Sequence, residues 1–350
     1  MEPLSLLRGA GAIGGIALLL SSFLYFRGER WHRRAFLLGA AIGVVLLCVS
    51  LDASSVNWLR DAMGLGGFAY GRMLALCIVA TAAAIALAFH ARARADFVQR
   101  TLDRFICTSV AQSALASFNG SSPVKPVMIV MPALNEARNL RDLLPRIPRT
   151  IAGKEVGVLV VDDGSDDETA DVVIEHGYFA VRSPIRRGQG GALRIGYTIL
   201  ARSNAEIVVT MDADNQHRPQ DIETVALPVI DGEADFVLGS RRMGGTNTVD
   251  GVRSAGITLL SRLISALCGQ RITDCSSGFK AFRTSLFSQL DLRENQFQNG
   301  EAIVEAAKKG LKVLEVPIVI TERAHGTSHK GSNLFYGFHF TKAMVKAWWR

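Results

Sequence analysis

Three short polar segments hold acidic residues at spacings suited to chemistry, and each follows a run of apolar residues. They are Pro132-Ala133-Leu134-Asn135-Glu136, Asp162-Asp163-Gly164-Ser165 and Asp212-Ala213-Asp214-Asn215-Gln216. In the third, two carboxylates one residue apart can reach the same hard cation, and the Gln216 amide oxygen can add a third ligand. An open, oxygen-rich set of this kind suits Mg2+ or Mn2+, which then bridges to substrate phosphates. An isolated D-x-D is as easily a solvated turn. Here it closes the apolar run 207–211 and is joined by two other acidic segments, which favours the cation reading. Gly188-Gln189-Gly190-Gly191 opens a predicted helix, where free amides suit a phosphate or sugar oxygen, or else form a tight packing turn. Glu301 and Asp274 stay open between a sugar contact and a local structural role, and His217 reads as a turn residue. No G-x-G-x-x-G follows the first strand and no G-x-x-x-x-G-K-S/T loop occurs, which argues against dinucleotide and P-loop chemistry.

The elements that must position these residues follow from hydrophobic patterning. Runs 127–131, 156–161, 207–211 and 236–238 read as strands buried on both faces, separated by helical stretches. Ser165 with Glu168 fits a capping box, and Pro219 suits a first helical turn. The alternation predicts an α/β domain with a mainly parallel sheet, whose ligands bind beyond the carboxyl ends of the strands.

Upstream the composition changes. Runs 9–26, 35–51 and 73–89 are nearly uncharged, and each spans about 26 Å as a helix, slightly short of the ~30 Å hydrocarbon layer. Snorkelling Arg8, Arg34 and Arg72 extend their ends. The expectation is three transmembrane helices over 1–91, a helical linker over 92–122, a catalytic domain over 123–333 and an amphipathic interfacial helix over 334–350. Of the net charge of +7, residues 1–118 supply +5, from eleven Arg against six acids. This excess flanks the apolar runs, so a membrane explains it and nucleic acid is not needed. The arginines in 27–34 and after 91 predict that these segments and the catalytic domain face the cytoplasm of a multi-pass inner-membrane protein. The five cysteines show no zinc-ligand spacing and read as small apolar residues, Cys107 on a surface helix.

The ordered motifs MPALNEARN, VDDGSDDET, RRGQGGALRIG, DADNQHRP, GSRR, TDCSSGFKAFR and RAHGTSHK resemble glycosyltransferase family 2, in particular its polyprenol-phosphate (dolichol-phosphate mannose synthase-like) branch, over roughly residues 125–330. The resemblance implies a GT-A fold, a UDP- or GDP-hexose donor, a divalent cation, inversion at the anomeric carbon and a polyprenol phosphate acceptor. Carried onto this chain, it implies a nucleoside pocket of Pro132, Leu134, Glu136, Val161 and Asp163, with Asp162 beside it. Gly188, Gln189 and Ala213 join the donor contacts, and Asp212, Asp214 and Gln216 the metal and diphosphate group. Arg241 and Arg253 match arginines that hold the acceptor phosphate, and Asp214 with these two makes the catalytic set. Arg323, Ser328 and Lys330 match a loop that closes over the diphosphate. Leu134 stands where the family often has Tyr. His329 occupies the lysine position of the common R-x-x-G-x-S-K pattern, with Lys330 one residue late, and the sequence does not choose between them.

Two other functions compete. A family-2 transferase acting on a glycan would usually carry Q-x-x-R-W, which is absent. A non-catalytic membrane scaffold would be expected to break the D-x-D motif, which is intact. Self-association is left open.

Overall fold

The computed structural model describes residues 3–28, 33–52, 54, 57–68, 70–117, 123–244, 251–323, 325 and 333–349. The chain divides into two compact units, Met1–Phe97 and Val98–Arg350.

The first unit is helical: α1 (Pro3–Gly28), α2 (Arg33–Leu51), α3 (Asn57–Ala62) and the start of α4 (Gly71–Ala116). Helices α1 and α2 pack as an antiparallel pair through small residues. A Cβ at Gly15 would lie 3.0 Å from the Gly43 carbonyl, and one at Gly43 would lie 3.0 Å from the Gly15 carbonyl. Gly11 meets Ser50 and Gly39 meets Ser22 in the same seam. Two G-x-x-x-G spacings thus let the backbones approach closely, as in membrane helix pairs. Among the described residues α4 is the one helix long and apolar enough to cross a membrane; the apolar stretches Gly11–Phe23 and Gly39–Leu51 are shorter. On α4, Met73, Ile78, Ile85 and Phe89 are exposed.

The second unit is an α/β domain. In chain order it contains β1 (Val127–Ala133), α5 (Ala137–Leu143), β2 (Thr150–Ile151), β3 (Lys154–Asp162), α6 (Thr169–Glu175), β4 (Phe179–Arg182), α7 (Gly188–Leu200), β5 (Ile207–Thr210), α8 (Asp221–Ile230) and β6 (Phe236–Ser240). There follow α9 (Arg241–Gly244), α10 (Gly251–Cys268), β7 (Lys280–Arg283), α11 (Gln298–Lys308), β8 (Val313–Pro317) and α12 (Asn333–Trp349). The sheet order is β2-β3-β1-β5-β7-β6-β8, with β4 also on β3. Strands β1, β3, β4 and β5 pair in parallel, as do β6 and β8, whereas β7 runs antiparallel between β5 and β6. The mainly parallel α/β expectation therefore holds, with β7 reversed at its centre and the short β2 reversed at its edge.

Strand alternation builds two cores. Val127, Ile129 and Met131 of β1 point to one face with Leu140, Val172 and Val225. Met128 and Val130 point to the other with Tyr197, Phe282, Ile303 and Phe340. Each fully buried aliphatic side chain contributes about 1.5–3 kcal/mol. Residues 98–116 of α4 belong to this unit, and Cys107, expected on a surface helix, is buried in the second core.

Two local expectations are corrected. Helix α6 starts at Thr169 after Glu168, with no side-chain cap from either capping-box residue. Ser165 Oγ instead accepts the Asn135 N–H (2.9 Å), so it ties two strand ends together. Pro219 precedes α8, which begins at Asp221 after a turn closed by the Asp221 N–H on the Arg218 carbonyl.

Candidate active site

Parallel register brings the acidic segments to one edge of the sheet. Ala133 lies opposite Asp162, and Thr210 lies opposite Val130, so Asp212 follows at nearly the same level. The turns that leave these strands require unusual backbone: Asn135 (φ 57°) and Asn215 (φ 62°) are left-handed, a conformation Asn tolerates better than most residues.

The first two acidic ends divide into framework and site. Asp162 is fully buried, and its Oδ1 accepts the N–H groups of Gly164 (3.1 Å) and Ser165 (2.7 Å), so it builds its own turn. Asp163 faces the 187–188 loop: Oδ1 accepts the Arg187 N–H (2.9 Å) and Oδ2 the Gly188 N–H (2.6 Å). Burial raises its pKa, although these bonds oppose the shift. Burial also raises the pKa of Glu136, opposed by the Asn139 amide, which donates to its Oε2 (2.5 Å), and by Arg323 at 3.8 Å. Val161 is buried, Pro132 is partly buried and Leu134 is exposed at the mouth of this corner.

The third end carries the cation candidates. Asp212 Oδ1 accepts from Gln189 Nε2 (2.6 Å), joining the α7 start to the D-x-D turn. Asp214 Oδ2 accepts from Arg323 Nη2 (2.7 Å), and its Oδ1 accepts the Gln216 N–H (3.2 Å). Gln216 donates its side-chain N–H to the Thr321 carbonyl (3.3 Å), which orients the amide and leaves its oxygen as the donor atom for a cation. Ala213 is buried between the two carboxylates. Two carboxylates and an amide oxygen, without sulfur, match a hard divalent ion. A Cβ at Gly278 would stand 3.0 Å from both Asp212 oxygens, so glycine keeps that side clear. His217, expected in a turn, instead forms an isolated β-bridge with Ile320 and is buried: its Nδ1 accepts the Asp212 N–H (3.1 Å) and its ring packs on Phe279.

Arg241 begins α9, directly after β6. Its Nε and Nη2 form a bidentate pair with the buried Asp274 (2.6 and 2.8 Å), and Nη2 also reaches Ser276 Oγ (2.5 Å). Burial works against both charges. The pairing outweighs it, holding Arg241 above its ordinary value and Asp274 below the usual carboxylate range. Asp274 thus anchors Arg241 through Nε and Nη2. A cavity of about 840 Å³ between α9, α10 and residues 269–273 is lined by Arg242, Arg262, Arg271, Met243 and Ile272. The side chain of Arg253, with Ser328, His329 and Lys330, lies outside the described residues.

Sequence reasoning missed Lys280. It is fully buried on β7, donates to Asn299 Oδ1 (2.7 Å), and has its pKa pulled down to about 8 by burial, against the opposing fields of Asp212 and Glu301. Its only sequence signal is a lysine inside an otherwise apolar strand. Glu301 sits in the first turn of α11, and its Oε2 accepts the N–H groups of Arg293 (2.9 Å) and Glu294 (2.8 Å), which fixes the loop beside Gly190.

Comparison with known proteins identifies the family and the fold. Residues 128–291 match the description "Glycosyl transferase family 2". The chain is 31% identical to the polyprenol monophosphomannose synthase of Mycolicibacterium smegmatis, covering 61% of this chain and 84% of the relative. It is 30% identical to the dolichyl-phosphate hexose transferase of Haloferax volcanii, covering 57% and 84%. Glucosyl-3-phosphoglycerate synthase from Mycobacterium tuberculosis, solved with Mn2+ and UDP-glucose, superimposes with a TM-score of 0.51 at 22% identity, over 68% of this chain and 82% of that one, a likeness of GT-A fold. On the strength of these matches, the chain is a glycosyltransferase belonging to glycosyl transferase family 2.

Proposed function

We propose that this enzyme transfers a hexose from a UDP- or GDP-sugar to a polyprenol phosphate at the cytoplasmic face of a membrane, with inversion. The observation that carries the reading is the meeting of Glu136, Asp163, Asp212 and Asp214 at one sheet edge, with Arg323 on Asp214 and Arg241 anchored nearby by Asp274. Relatives named as polyprenol- and dolichyl-phosphate transferases favour the lipid acceptor.

In this reading Pro132, Leu134, Glu136, Val161 and Asp163 receive the nucleoside, Asp162 shapes the turn beside it, and Gly188, Gln189 and Ala213 flank the diphosphate. Asp212, Asp214 and Gln216 would hold Mg2+ or Mn2+, which when bound offsets charge on the leaving diphosphate. A phosphate acceptor is already anionic near neutrality, so its oxygen needs placement more than deprotonation. Arginine forks supply that placement and reduce repulsion from the donor, a role we give to Arg241 and Arg253. The 840 Å³ cavity, with three arginines and apolar walls, suits the neighbourhood of a phosphate-headed lipid. Arg323, with Ser328 and either His329 or Lys330, closes over the diphosphate.

We further assign 1–91 to the membrane, with α4 as one span and the α1–α2 pair as two more, 123–333 to catalysis and 334–350 to the interface. Helix α12 suits this last role. Phe340, Met344 and Ala347 pack inward, whereas Phe338, Val345, Trp348 and Trp349 are exposed beside Lys342 and Lys346.

Two variants test the assignment. Asp214→Asn loses an anionic ligand and is expected to abolish both transfer and background donor hydrolysis while the protein stays folded. Arg253→Ala is expected to spare hydrolysis but reduce lipid transfer about ten- to hundredfold, the effect of a lost charge-assisted hydrogen bond. Loss of donor binding in Arg253→Ala would move that arginine to the diphosphate and favour a glycan acceptor.

A further inference from the structure

Outside the D-x-D edge, the most unusual charge cluster joins α4 to the loop that opens α7. Arg187 and Arg194 are both almost fully buried, with side chains 6% and 7% exposed, and both pair with the single carboxylate of Asp103. Arg194 donates from Nε to Asp103 Oδ2 (2.8 Å) and from Nη2 to Oδ1 (3.1 Å). Arg187 donates from Nη1 to Asp103 Oδ1 and from Nη2 to the Gly191 carbonyl (3.0 Å), while its buried Nε has no partner. Two buried guanidiniums on one carboxylate leave a surplus positive charge, tolerated only while that carboxylate is present.

The cluster is wired to the candidate donor site through consecutive residues. The main-chain N–H groups of Arg187 and Gly188 both hold Asp163, and Gln189 holds Asp212. On the other side, Arg194 reaches the Glu294 carbonyl (3.0 Å) and Asn295 Oδ1, and the Gly190 N–H donates to the Asn295 carbonyl (2.7 Å). Gly190 has no room to move into: a Cβ there would come within 2.9 Å of that carbonyl. The position of 187–190 is therefore set by α4 on one side and by the 294–295 loop on the other.

We propose that Asp103 of α4 is a positioning residue for the donor site, acting through Arg187 to hold the 187–189 loop against Asp163 and Asp212. The proposal rests on the donor-site reading above. It gives the helix that is long enough to cross a membrane a second task, since the end of that same helix fixes the loop that grips the donor. Without the carboxylate, two like charges face each other in a buried site and push the loop outward, and Asp163 and Asp212 lose their registration together.

The test uses the full chain in detergent, with binding of UDP and of GDP measured by calorimetry in the presence of Mn2+. Asp103→Asn is expected to weaken whichever nucleotide the wild type binds by about tenfold or more. Asp103→Glu restores the charge and should recover most of that affinity, which a loss of bulk packing would not predict. Arg202→Ala serves as control, because Arg202 contacts Thr108 on the same helix (3.5 Å) without touching the loop; it should stay within about twofold of wild type. Binding within about twofold by a cooperatively melting Asp103→Asn, or equal weakening by Arg202→Ala, overturns the proposal. If Asp103→Asn does not melt cooperatively, Arg187→Lys replaces it: this variant keeps a charge but loses the fork, and unchanged affinity there overturns the proposal equally. A wild type that binds neither nucleotide contradicts the donor-site reading itself.

Discussion

Asp162 and Asp163 are neighbours of one residue type with opposite tasks, and only their partners tell them apart. Asp162 spends Oδ1 on its own turn, while Asp163 takes N–H groups from a loop that follows another strand. The family resemblance put Asp163 in the nucleoside pocket and Asp162 beside it; spacing alone does not separate the two, because the difference in their partners depends on residues 24 and 25 positions away. The D-x-D segment could be singled out as a candidate, since its spacing and its place after an apolar run are visible in the sequence. Lys280 was not, because its importance comes from burial beside Asp212 and Glu301 rather than from any spacing. It also carries a pH signature. Folding lowers its pKa from 10.5 to about 8, so the unfolded chain binds the extra proton between these values. The stability penalty is therefore complete below pH ~8 and is relieved as pH rises towards ~10.5. Chemical denaturation of wild type and Lys280→Met across pH 7.5–10.5 should show a rise specific to the wild type; parallel curves would mean that Lys280 does not titrate in this window.

Among the elements, the mostly buried strands β1, β3, β5 and β6 were readable because continuous apolar runs are diagnostic of a sheet covered on both faces. Strands β2, β4, β7 and β8 were not. β2 has two residues, β4 and β8 are only partly buried, and β7 begins with a lysine that mimics an exposed position. The C-terminal helix was read as amphipathic, and its inward stripe required the structure. That stripe depends on Gly300 of α11, where a Cβ would lie 2.5 Å from Met344 Sδ and 2.7 Å from Phe340 Cζ. Gly300→Val should push α12 off α11 and destabilise the domain by about 1–3 kcal/mol, as overpacking does. Thermal unfolding checks this, and an unchanged midpoint would mean that α12 contributes little to the fold.

At the scale of the whole molecule, the charge distribution and the apolar helix α4 support the membrane reading proposed above, and the arginine asymmetry predicts an orientation that labelling can test. Cysteines introduced near Arg30 and Gly326 should resist an impermeant thiol reagent in intact cells, whereas one near Gly66 should react. Labelling near Gly326 would reverse the orientation. The central claim, sugar transfer to a lipid phosphate, is tested most directly by supplying membranes that contain the protein with labelled UDP- and GDP-hexoses, polyprenol phosphate and Mg2+ or Mn2+, and then identifying the organic-soluble product. A lipid-linked sugar is expected from one nucleotide class, lost on chelation and in Asp214→Asn. Failure of every donor to label the lipid, or a product indifferent to both chelator and Asp214→Asn, would contradict the claim.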